Sequence, residues 1–74
     1  MKRYFFDLCS STKLLYDFHG RFLPKWDQAC EYAELIALDL EVEGEWDGWT
    51  VVVREASGKE VFSIPTRQAE AIAA

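Results

Sequence analysis

The segment PKWDQACEYAELIALDLEVEG, Pro24 to Gly44, decides how the rest of the chain is read. Proline fixes φ and suits the first helical turn, and a glycine twenty residues later is free to take the left-handed position that ends a helix. The spacing predicts one helix from Pro24 or Lys25 to Val42 or Glu43. Trp26, Ala29, Ala33, Ile36, Ala37 and Leu40 recur at the interval that faces a core, and the alanines would let the backbone lie close to a sheet. Leu35, Leu38 and Val42 form a second stripe on the far side of the wheel, among Glu31, Glu34 and Glu41. One sheet cannot bury both stripes.

Outward from this helix the chain reads as strands. Arg3 to Leu8 alternates Tyr4, Phe6 and Leu8 with Arg3, Phe5 and Asp7, and Leu14 to Phe18 alternates Leu14, Tyr16 and Phe18 with Leu15 and Asp17. The polar Cys9 to Lys13 connects them as a hairpin. After the turn Glu45 to Gly48, Trp49 to Glu55 contains the β-branched run Val51-Val52-Val53, and Ala56 to Lys59 reverses the chain into Glu60 to Ile64. Pro65 cannot donate to a ladder and should close that strand. Residues 66–74 read as a flexible or short helical tail. The expected fold is one α+β domain, 1–74, of order β-β-α-β-β: a four-stranded, mainly antiparallel sheet with one helix packed on one face.

That architecture leaves the other sheet face bare, while Phe5, Leu15 and Val52 each oppose apolar neighbours on their own strands. Phe5, Leu15, Leu35, Leu38, Val42 and Val52 are therefore expected at an interface, and a homo-oligomer, a dimer, is the expected state. At 74 residues, with half of them apolar, a second subunit is also a natural source of added stability.

Charge is segregated. Between Trp26 and Val53 there are eight carboxylates and no lysine or arginine, whereas the whole chain has 13 acids, eight basic residues and a net charge of −5. Phosphate recognition needs clustered basic side chains, so no nucleic-acid partner is expected. Glu31, Glu34, Glu41 and Glu45 instead offer an acidic contact face to a basic protein. The same acids would serve solubility alone.

Recognisable chemistry is sparse. Neither Cys9 nor Cys30 belongs to a zinc-spaced cluster, Asp7 interrupts the N-terminal apolar run before it could act as a signal segment, and no run reaches the length of a membrane span. A cytoplasmic protein with reduced thiols and no membrane association is expected. His19 beside Asp17 could be imagined polarising Ser10 or Ser11, but no nucleophile elbow accompanies them. Glu31 and Glu34 share a helix face without a cation-binding loop pattern. No catalytic residue, metal or cofactor is assigned.

Arg3-Tyr4-Phe5-Phe6-Asp7-Leu8, Gly20-Arg21-Phe22-Leu23-Pro24, and Ser57-Gly58-Lys59-Glu60-Val61 with Ile64-Pro65 resemble a family of small bacterial domains of unknown function whose members open with Arg-Tyr-Phe-Phe-x-Leu. The resemblance implies the same β-β-α-β-β fold and carries no assigned activity. Lys25 stands where the family tends to place an Asp or Ser helix cap, and the helix lacks the family's arginine. A weaker similarity, in element order and helix composition, is to the HicB-type antitoxin domain. It implies, as the alternative, an inhibitor masking a basic toxin.

Overall fold

A computed structural model describes residues 1–66; the expected tail beyond them lies outside the described residues. The chain forms β1 (Lys2–Cys9), β2 (Leu14–Leu15), β3 (Arg21–Leu23), α1 (Trp26–Glu43), β4 (Thr50–Glu55) and β5 (Glu60–Pro65). All strand pairings are antiparallel, in the order β2-β1-β4-β5, with β3 also on β1. The α+β class with a single helix on an antiparallel sheet is the one the sequence implies.

The first hairpin differs from the reading of Leu14 to Phe18 as one strand. Only Leu14 and Leu15 pair with β1, opposite Cys9 and Leu8; the chain leaves the sheet and returns at Arg21, opposite Tyr4. Between those pairings the three residues Phe5 to Asp7 face the five residues Tyr16 to Gly20, so the edge carries a two-residue excursion. Asp17 drives it. Its carboxylate accepts hydrogen bonds from the main-chain N–H groups of Phe6 (3.1 Å), His19 (3.0 Å) and Gly20 (3.1 Å), replacing a ladder partner with a side chain. At the hairpin end, Ser10 Oγ accepts from the N–H groups of Thr12 and Lys13 and shapes the turn.

Helix α1 crosses the sheet face formed by Tyr4, Val51, Val53 and Ile64, packing on them through Ala29, Ala33, Ala37 and Leu40, all buried. Each buried valine side chain contributes about 1.5–3 kcal/mol by leaving water. Gly44 ends the helix at φ 77°, its N–H donating to the carbonyls of Leu40 and Glu41. Trp26, expected on the buried stripe, is 57 % exposed and lines an open groove. Thr66, expected to begin the tail, is buried; its hydroxyl donates to the Trp46 carbonyl and its N–H to that of Trp49, fastening the loop between α1 and β4.

Candidate interaction surface

Two faces remain outside the core. On the sheet face opposite α1, strand register places Arg3 beside Phe22, Phe5 beside Arg54, and Asp7 beside Val52. The Arg3 guanidinium lies 5.0 Å from the Phe5 ring centre and 5.8 Å from that of Phe22, and the Arg54 guanidinium lies 4.7 Å from Phe5 and 5.6 Å from Tyr16. Cations and rings thus alternate across the face in the order Phe22, Arg3, Phe5, Arg54, Tyr16.

This row is anchored by Asp7, which is only 3 % exposed. Its carboxylate takes both Nε and Nη2 of Arg54 and accepts the Asp17 N–H at 2.8 Å, while Arg54 Nη2 also reaches the Asp17 carbonyl at 3.4 Å. The hydrogen bonds that Arg54 donates to Asp7 raise its pKa further despite the opposing effect of desolvation. Burial pushes the Asp17 carboxyl upward, but the N–H groups of Gly20, Phe6 and His19 outweigh it and hold the group below its ordinary value. Arg3 is fixed differently, donating to the His19 carbonyl.

The six expected interface residues do not form one surface. Phe5 and Val52 lie on this sheet face and are half-buried, with the Arg3 and Arg54 guanidinium groups over the Phe5 ring. Leu15 pairs with Leu8 and so belongs to the helix side of the sheet, at its exposed edge. The most open aromatic group next to this row is Phe18, 81 % exposed, its ring 6.3 Å from that of Tyr16; Phe22, at the far end of the row, is also exposed. Sequence alternation assigned Phe18 to a strand; the excursion at Asp17 lifts it off instead.

Leu35, Leu38 and Val42 do share one outward face of α1, with Leu38 57 % and Val42 86 % exposed. Glu31 and Glu34 stand exposed among them, Glu41 is half-buried, and Glu45 lies exposed beyond the helix end. No basic residue occupies the last helical turn.

The imagined catalytic grouping does not assemble. Both Asp17 oxygens accept main-chain N–H groups, and the His19 hydrogen bonds are main-chain ones. Cys9 and Cys30 are free thiols, and burial followed by the charges of Glu34 and Asp27 pushes the Cys30 thiol up. Among the described residues no three His, Cys, Asp or Glu side chains gather as a metal site would require, and no helix is long and apolar enough to cross a membrane.

The fold and its two open faces define a small α+β domain. The model of a family described as Domain of unknown function (DUF6894) matches residues 3–67, and the chain belongs to that family. No curated protein and no solved structure matches it.

Proposed function

We propose that this protein is a small non-enzymatic interaction module that self-associates and offers an acidic face to a basic protein partner. The observation that carries this reading is the outward face of α1, where exposed Leu35, Leu38 and Val42 are interleaved with Glu31 and Glu34 and no cation. Apolar anchors within a carboxylate field suit an amphipathic basic segment, since the anchors supply burial and the charges supply orientation and rate of encounter. The same field repels a second copy of itself. Self-association therefore falls to the sheet face, where Phe18 and Phe22 are bare and the arginines are already balanced or stacked. A cytoplasmic setting, in which both thiols stay reduced, suits this role.

Light scattering at tens of micromolar, an affinity range typical of weak self-association, together with titration by an amphipathic lysine–leucine peptide, tests both halves. The expected results are a dimer, and peptide binding that weakens as salt rises. A monomer that ignores the peptide overturns the reading. Stoichiometric association with a basic ribonuclease in the native host would instead support the antitoxin-like alternative.

A further inference from the structure

Where α1 begins, an open groove of about 1010 Å³ runs between its first turn and the β4–β5 turn. It uses none of the residues that form the two faces above, and its chemistry points elsewhere. The first N–H groups of a helix have no acceptor within it, and Lys25, in extended conformation before α1, supplies no side-chain cap; its carbonyl takes the Gln28 N–H at 3.2 Å, which leaves those of Trp26 and Asp27. Lys25 and Lys59 line the groove without an ion pair among the described residues, whereas Lys2 approaches Glu55 at 3.9 Å.

Tyr4 supplies a second and independent observation. Its side chain is 2 % exposed and lines the groove, and its hydroxyl has no hydrogen-bond partner among the described residues. Because those residues contain no sealed side-chain oxygen or nitrogen without a partner, the hydroxyl is the part of Tyr4 that opens onto the groove. A buried ring thus presents one donor beside unpaired helix N–H groups, an arrangement that calls for an oxyanion.

The rest of the lining sets the ligand's charge and body. Asp27, Glu55 and Glu60 stand against three lysines and the Met1 amino group, so the groove carries one excess positive charge, which suits one negative group and falls short of a dianion. Trp26, Pro24 and Val61 provide an apolar wall. We propose that this groove binds a small monocarboxylate with an apolar body. The carboxylate accepts from the Tyr4 hydroxyl and the N–H groups of Trp26 and Asp27, Lys25 and Lys59 flank it, and the body lies against Trp26.

Proton–nitrogen NMR titration of the whole chain with phenylacetate, acetate and inorganic phosphate tests the assignment. Phenylacetate should give saturable shifts centred on the amides of Trp26 and Asp27, and should bind more tightly than acetate or phosphate. Tyr4→Phe removes only the hydroxyl and should weaken phenylacetate about tenfold, the effect of one hydrogen bond to a charged group. Lys25→Gln with Lys59→Gln, at exposed positions, should weaken it in a chain whose core is untouched. Shifts that do not saturate or are scattered over the chain, phosphate binding as tight as phenylacetate, or variants that bind like the parent protein would each overturn it.

Discussion

Arg54 stands opposite Phe5 in the β1–β4 register yet gives its guanidinium to Asp7, the next residue along the same face, making a two-pronged ion pair with a carboxylate that is 3 % exposed. The diagonal reach draws the arginine over Phe5 and toward the edge excursion, so one pair ties β1, β4 and residues 16–20 together.

Breaking that pair from one side leaves a charge with too few partners in a dry setting. Arg54→Met should destabilise the domain by about 3 kcal/mol, the lower end for removing one partner of a buried pair, because the Asp17 N–H still serves Asp7. Asp7→Leu combined with Arg54→Met should cost less than Arg54→Met alone. Urea unfolding midpoints of the single and double variants check this, and a double variant weaker than the single contradicts it.

Asp17 should give the domain an acid limb. A carboxyl depressed in the folded state adds stability that is fully present above its unfolded value and disappears as pH falls through the folded one. With an ordinary value of 3.8 and a lowered native value, the loss belongs below pH 3.8. Asp17→Asn should flatten urea stability against pH in that window and leave the residual slope to other acids. An unchanged slope would show that the N–H groups of Phe6, His19 and Gly20 do not favour the ionised form.

Two left-handed glycines should respond unequally to alanine. A methyl group at Gly20 would sit 2.9 Å from Phe5 Cε1 and 3.0 Å from both Arg3 Nε and the Tyr4 carbonyl oxygen, whereas at Gly44 nothing lies within 4 Å. Gly44→Ala should cost about 1 kcal/mol from backbone conformation alone. Gly20→Ala adds the clash with the arginine–aromatic row and should cost about 2–3 kcal/mol. Thermal unfolding of the two variants gives the comparison.

On α1, Leu38→Lys places a cation where the side chain is 57 % exposed, so the free energy of urea unfolding should change by no more than about 0.5 kcal/mol. Binding of the lysine–leucine peptide should fall severalfold in the same variant, because an anchor is lost and like charge is added. A large loss of stability would mean that Leu38 packs within the subunit.

Sedimentation of Phe18→Ser with Phe22→Ser should show dissociation of the dimer at concentrations where the parent protein is associated. Persistence of the dimer would move self-association away from the sheet face.

What could be read from the sequence was local and periodic. The alanine stripe, the proline before it and Gly44 after it fix a helix within two residues of its observed bounds, while the alternation around Tyr4 and Val51 sorts β1 and β4 into two faces without saying which of them meets the helix. The edge of the first hairpin was not legible in that way. Alternation from Leu14 to Phe18 looks continuous, and only when Phe6 lies alongside does the Asp17 carboxylate find the N–H groups that pull the chain off the sheet.

Composition and hydrophobic period by themselves determined one helix, antiparallel hairpins, an acidic helical face and more apolar residues than one layer contact could cover, because each of these follows from neighbours a few positions apart. Tertiary structure alone decided that Asp7 is buried against Arg54, 47 residues away, that Phe5 is shielded while Phe18 is bare, and that the Tyr4 hydroxyl opens beside the start of α1. These depend on register and on which groups meet across strands, and a charge or ring carries no mark in sequence of the partner that will neutralise or cover it.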